Sequence, residues 1–315
     1  VKQYLRHISI FALLTALLLL AILLLPVDKK YQYGFLISDC SYKSNLIYHR
    51  MAEDTLPLDA LLLGTSHTMC GVNDSLIEDG LKRRGVSMNI SSMAICLIGR
   101  NMDYAILKDV LKYKKPKLLI LEVRQDEPEF GHPNFGYVAD IGDIFSEPAY
   151  VNRTFASDLY NAFVVRLNYQ RDRLCLTYKP TIFTPTEPRF TKRVITADTS
   201  VLYNGVRNRW ERYFKHKHPA WQDNLMTRYP KYYVDAILDL ANKNGVKVMF
   251  LYLPTFGYPY HAPKELAYYR QRAPLLMMPF DFYDNTSLWC DDDHLNATAA
   301  ITVSDSVAAF IKKNF

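Results

Sequence analysis

Ser66, Asp291 and His294 are the residues whose types and spacing can do chemistry. Ser66 closes an apolar run, Leu61-Leu62-Leu63-Gly64-Thr65-Ser66-His67, and the other two lie far downstream in Cys290-Asp291-Asp292-Asp293-His294-Leu295-Asn296. A hydroxyl attacks an ester only when a base takes its proton, and an imidazole serves as that base when a carboxylate holds its far nitrogen. Asp-x-x-His at the entrance to a helix lets both side chains face one point. The assignment is therefore Ser66 as nucleophile, His294 as base and Asp291 as orienter. Other readings remain beside it. Ser66 can simply cap the helix that follows. Asp292 or Asp293 can orient the imidazole in place of Asp291, or an acidic loop can merely favour a helix N-terminus. Asp291, Asp293 and His294 can also be written as metal ligands.

Such residues need a scaffold that brings both ends of the chain together. Leu58 to Leu63 reads as a strand, Asn73 or Asp74 opens a helix to about Arg84, and Val86 to Ile90 reads as a second strand. A helix follows over 101–114, then a buried strand over 117–123. The alternation returns with a helix over 232–244, a strand over 246–253, a helix near 264–272, a short strand near 275–280 and a final helix over 297–313. Near-continuous apolar strands alternating with helices predict an α/β fold with a central parallel sheet covered on both faces, and such sheets carry their sites at the C-terminal strand ends. Residues from about 127 to 229 break the alternation and read as a long insertion forming a cap or substrate groove.

Ile8 to Val27 is apolar except for Ser9 and Thr15, long enough for a bilayer's hydrocarbon core. No small-x-small cleavage site closes it, so an uncleaved single-pass anchor is expected. The chain opens on Val1, so a start further upstream is expected. The division is an anchor at 1–30, a linker at 31–56 and a catalytic domain at 57–315. The net charge of +6 is spread along the chain and does not call for nucleic acid. Five cysteines (Cys40, Cys70, Cys96, Cys175, Cys290) include no C-x-x-C pair, which excludes a zinc ribbon and leaves one or two disulfides possible outside the cytoplasm. His132 and the pair His216 and His218 lie in the insertion without evident partner ligands. Arg207, Arg209, Arg212, Lys215 and Lys217 make that stretch basic, as a solvated face or as a surface for an anionic glycan or lipid headgroups.

Gly64-Thr65-Ser66 after one strand, Asn89-Ile90-Ser91-Ser92 after the next and Asp291-x-x-His294-Leu295-Asn296 before the last helix resemble the SGNH (GDSL-like) hydrolase superfamily. The nearer likeness is to its membrane-anchored, extracytoplasmic branch, which includes the D-alanyl transfer protein of teichoic acid modification and the alginate O-acetylation proteins. The resemblance covers about 57–125 and 230–315. It implies a flavodoxin-like three-layer sandwich, a serine nucleophile at Ser66, and a base and orienter at His294 and Asp291. Two blocks depart from the family pattern. Where a glycine amide usually lines the oxyanion hole stands Ser91-Ser92-Met93-Ala94, so backbone amides such as those of Ser92 or Met93 are the expected donors. Where an asparagine side chain usually helps stands Glu122-Val123-Arg124-Gln125-Asp126, so Arg124 or Gln125 could donate to an oxyanion instead, with a surface salt bridge as the other reading of Arg124. His67, next to the expected nucleophile, is a candidate substrate contact or a plain strand-end histidine.

The expected function is acyl-ester chemistry on an envelope or exported glycan, O-acetyl transfer foremost. The alternatives are a carbohydrate esterase and a non-catalytic subunit of a glycan-modifying complex. The resemblance implies a polytopic membrane partner that delivers the acyl group, a domain facing the periplasm or cell exterior, and no cofactor or metal.

Overall fold

The computed structural model describes residues 2–36, 44–127, 129–146, 152–177, 190–215, 219–258 and 261–315. Five parallel strands form one sheet in the order β2-β1-β3-β4-β5: β1 (Ala60–Leu63), β2 (Ile90–Ser92), β3 (Leu118–Val123), β4 (Lys247–Tyr252) and β5 (Leu275–Leu276). This is the flavodoxin-like order. The chain leaves β1 toward β2 and then crosses back to β3, so a crevice opens at the C-terminal ends of β1 and β3. Every residue of β1 and β3 is buried. Removing each leucine from water contributes roughly 2 kcal/mol, which is why these two strands read as unbroken apolar runs.

Helices cover both faces. On one, α4 (Asp74–Arg83) packs on α9 (Ala297–Asn314); on the other, α5 (Arg100–Tyr113) packs on α8 (Arg228–Lys243). Asn73 caps α4 by accepting from the amides of Ser75 and Leu76. The helix α8 starts four residues earlier than its apolar period suggests, because Pro230 falls in the first turn, where a missing N–H costs nothing. The strand β2 lies later than the run Val86–Ile90 suggests. Asp59 takes the Asn89 amide at 2.9 Å, and the ladder then pairs Ile90, Ser91 and Ser92 with Ala60, Leu61 and Leu62. Two buried serines give a strand no apolar signature.

The helix α1 (Lys2–Leu24) has 23 residues, a mean hydropathy of 2.6 and no buried residue. It is long and apolar enough to cross a membrane or to act as a signal sequence. The described part of 31–56 is not a free tether. In α2 (Lys29–Phe35) and the turns that follow, Tyr33, Ile47 and Met51 are buried in the main core. Lys29 reaches the buried Asp109 at 3.0 Å and fixes α2 to α5. Cys40 lies outside the described residues.

The insertion divides in two. Its first half carries α6 (Phe155–Leu174), which packs along the end of α1; the Gln170 amide donates to the Pro26 carbonyl at 2.7 Å. This half packs on α1. The second half, with α7 (Thr199–Lys215), reaches the rim. An extended stretch joins the two ends of the domain on its way: Thr191 donates to the Met69 carbonyl, Arg193 accepts from Ala297, and Ala197 donates to Trp289.

Candidate active site

The turn that carries Ser66 is built on one buried carboxylate. Glu122, near the end of β3, is 1% exposed and accepts four hydrogen bonds from the turn after β1. These come from the Thr65 amide (2.8 Å), the Thr65 hydroxyl (2.8 Å), the Thr68 amide (3.1 Å) and the Thr68 hydroxyl (2.6 Å). Gly64 is required by close approach. A methyl group there would stand 2.5 Å from both the Glu122 carboxylate and the Thr68 hydroxyl. The Thr65 hydroxyl also accepts from the His67 amide at 3.2 Å, which caps α3 (Ser66–Gly71). Ser66 is therefore the first helical residue, held from both sides, with its side chain at the rim.

The second half is a closed loop ahead of α9. Trp289 bridges to Leu295 in antiparallel fashion, and Cys290 donates to the His294 carbonyl at 2.9 Å. Asn296 ends the loop: its carbonyl oxygen caps α9 at the Thr298 and Ala299 amides, and its NH2 donates to Ser287. Within the loop, Asp291 Oδ1 accepts from the amides of Asp293 (2.8 Å) and His294 (2.7 Å). The same carboxylate meets His294 Nδ1 at 2.9 and 3.0 Å, while His294 Nε2 lies 2.8 Å from Ser66 Oγ. Nδ1–H donates to Asp291, which leaves Nε2 to accept the serine proton. Burial pushes the Asp291 carboxyl up, but the imidazole and the two amides outweigh it and hold the group below its usual range.

The rival orienters are occupied elsewhere. Arg209 of α7 pairs with Asp292 at 2.6 Å and Asp293 at 3.4 Å, and donates to the Phe256 carbonyl at 2.6 Å. One residue of the basic stretch thus clamps the 290–295 loop to the insertion. His216, Lys217 and His218 lie outside the described residues. Cys290 is no rival nucleophile, since burial, then the Asp291 charge, pushes its thiol up to about 12.

The amides of Ser92 and Met93, expected as oxyanion donors, are already used. Ser92 N donates to Asp74 at 2.9 Å and Met93 N donates to Leu62 O at 2.9 Å. The Ser92 hydroxyl is buried without a partner among the described residues and is the one donor that residue retains. Ser66 N–H opens a helix, where no intrahelical acceptor exists, and the Ala94 amide has no protein acceptor among the described residues. Gln125 is also engaged, in an exchange of hydrogen bonds with Thr255 at 3.1 and 3.3 Å.

His67 and Arg124 flank the pair. His67 is 4% exposed, and its ring centroid lies 5.3 Å from that of His294. Burial first, then the charge on Arg124, pushes its imidazole well below the ordinary range, so it stands neutral beside the base. Such a buried ring braces His294 and offers little surface to a substrate. His132 is buried too, with its Nε2 2.8 Å from the Cys96 carbonyl.

Neither known protein families nor curated proteins yield a match to the chain. The functional reading therefore rests on the geometry. Sequence reasoning singled out Ser66, Asp291 and His294, gave Glu122 no role of its own and read Arg209 only as part of a basic face. Glu122 had a visible mark, a lone carboxylate inside the apolar run Leu118–Val123. Arg209 had none, because nothing local ties it to a loop about eighty residues away.

Proposed function

We propose that this chain is a membrane-anchored serine acyl-ester enzyme of SGNH type acting on an envelope or exported glycan, with O-acetyl transfer as its principal reaction. The observation that carries the reading is the continuous relay from Ser66 Oγ through His294 to Asp291. In this scheme His294 Nε2 takes the hydroxyl proton as Ser66 Oγ attacks the ester carbonyl. The amides of Ser66 and Ala94 donate to the oxyanion. Collapse breaks the bond to the leaving alcohol, which receives the proton from His294, and leaves an acyl-Ser66 ester. A sugar hydroxyl, or water in the hydrolytic variant, then gives its proton to His294 and takes the acyl group, restoring Ser66.

The helix α1 serves as the retained anchor, and its firm seat against α6 holds the domain beside the bilayer. Cys96 is disulfide-bonded, which suits an oxidising compartment and supports an extracytoplasmic domain. A polytopic membrane protein is the proposed source of the acyl group. The test gives the purified full-length chain an activated acetyl ester with and without oligosaccharide acceptors. Acceptor-dependent appearance of acetylated sugar, lost in Ser66→Ala, supports transfer. Rapid hydrolysis unaffected by acceptors makes the protein an esterase. Binding of glycan with no turnover in the wild type overturns the enzymatic reading.

A further inference from the structure

The helix α6 is partly polar where it is buried and apolar where it faces out. Its inward residues are Asp158, Asn161, Ala162, Val165 and Arg166. The polar ones have partners inside. The Thr154 hydroxyl donates to Asp158 at 2.8 Å, the Asn161 side-chain amide donates to the Pro133 carbonyl at 3.1 Å, and Arg166 donates to the Ala162 carbonyl at 3.0 Å. On the opposite side Tyr160, Leu167 and Leu174 recur every two turns in one line along the helix, and they are 66%, 46% and 84% exposed. Val164 fills the line between the first two and Arg171 between the last two. Leu176, just past the helix, is 91% exposed with φ at +54°, a left-handed position that glycine or asparagine usually takes. A helix on a water-covered surface turns its polar side outward. Single exposed leucines are ordinary, but an aligned row of apolar side chains marks a contact surface.

The place of α6 in the fold says what that surface meets. Along α1 only Ile22 and Leu23 are half-buried, and residues 2–21 are exposed, so α1 leaves the domain at its last turn. That turn sits on α6. Leu23 packs on the small cluster that includes Ala162, and the Gln170 side chain holds the Pro26 carbonyl at 2.7 Å. Further on, the Tyr31 hydroxyl donates to Asp172 at 2.9 Å. A bilayer crossed by α1 is therefore brought against α6. The charges agree with a lipid surface. Arg171, which also pairs with Asp172 at 2.8 Å, and Arg173 are exposed in the last turn, where their stems can lie over acyl chains and their guanidinium groups can reach headgroup phosphates.

We propose that α6 is an interfacial helix, its outward face resting in the headgroup boundary of the bilayer that α1 crosses. The domain is then held at two points and does not swivel about α1. The proposal rests on α1 as the retained anchor. Its test uses the full-length chain in vesicles of equal parts phosphatidylethanolamine and phosphatidylglycerol. A bimane fluorophore is attached to Leu167→Cys in a Cys175→Ser chain, with the labelled position checked by peptide mapping. A second sample carries it on Ile301→Cys, an exposed apolar position of α9 on the other face of the sheet. Lipid bearing a nitroxide near its headgroup and iodide in the water are the two quenchers. For a face sunk roughly 5–10 Å into the boundary, lipid quenching should be at least about threefold stronger at the Leu167 position than at the Ile301 position, with iodide in the reverse order. Adding Tyr160→Glu and Leu174→Glu should bring the first probe to the level of the second. Equal lipid quenching at the two positions overturns the proposal, and this arm needs no glutamate variant to fold. Lipid quenching that survives both glutamates overturns it as well. So does shielding of the Leu167 probe from both quenchers, which would assign the face to a protein partner or a second copy. Carbonate pelleting and fluorophosphonate labelling of Ser66 are scored on the same vesicles. A chain that pellets and labels but lacks lipid contact at α6 loses this proposal alone, whereas a chain shed by carbonate overturns the anchor and the proposal with it.

Discussion

Replacing Glu122 with glutamine should disarm the site without touching any residue of the relay. Glu122 Oε2 accepts three hydrogen bonds and Oε1 accepts one. A glutamine can turn its carbonyl oxygen to the three donors, but those bonds lose their charge assistance. The difference is about 1 kcal/mol per bond, so the three together lose about 3 kcal/mol. The fourth position then presents an NH2 to the Thr65 hydroxyl, which already accepts from the His67 amide. The turn that presents Ser66 loosens, and a displacement of about 1 Å at the nucleophile lowers the rate on the order of 100-fold. Two assays separate the effects. Urea unfolding of Glu122→Gln reads the stability, and the second-order rate of fluorophosphonate labelling reads the reactivity of Ser66. Wild-type stability together with wild-type labelling would refute the role assigned to Glu122. Lost stability with unchanged labelling would show that the carboxylate supports the sheet but not the nucleophile.

Three further outcomes follow from the same structure. His132 is a buried neutral imidazole pushed down to about 4 by its surroundings. Below ~6.5 the unfolded chain takes a proton that the folded chain refuses, so stability should fall by roughly 3 kcal/mol between pH 6.5 and 4 and be fully present above that window. Urea midpoints across this range should show a flatter slope for His132→Gln; an unchanged slope rejects the assignment. Iodoacetamide at pH 8 should modify the exposed Cys175 and spare Cys290, whose thiol is pushed up to about 12, and modification of Cys290 first would count against that placement. Alkaline carbonate should leave the full-length chain in the membrane pellet, whereas release of a mature chain beginning after Val27 would identify α1 as a cleaved signal.

The parallel sheet was legible because β1 and β3 are buried, mostly aliphatic runs and β4 is buried and apolar over its last four residues, between helices of clear period. The hydrogen-bonded trio of Ser66, His294 and Asp291 was legible because its members sit at element boundaries, Ser66 just past a strand and His294 just before a helix. What escaped notice depends on contacts distant in sequence. The seat of α2 rests on Tyr33, Ile47 and Met51 entering a core made by later strands, and a polar, tyrosine-rich stretch shows no period that announces this. The helix α6 has apolar residues on more than one side because it meets both α1 and the domain, so it lacks a single stripe. The oxyanion donors were misread at Ser92 and Met93, since no local rule reveals that Asp74 and Leu62 have already claimed those amides.

The most direct test of the central claim is rapid-quench intact mass followed by peptide mapping after mixing the full-length chain with an activated acetyl ester. The relay predicts one acetyl group per chain, on the peptide carrying Ser66, formed in the wild type, absent in Ser66→Ala and much slower to form in His294→Ala. Acetylation of another residue, or equal acetylation in Ser66→Ala, would contradict it.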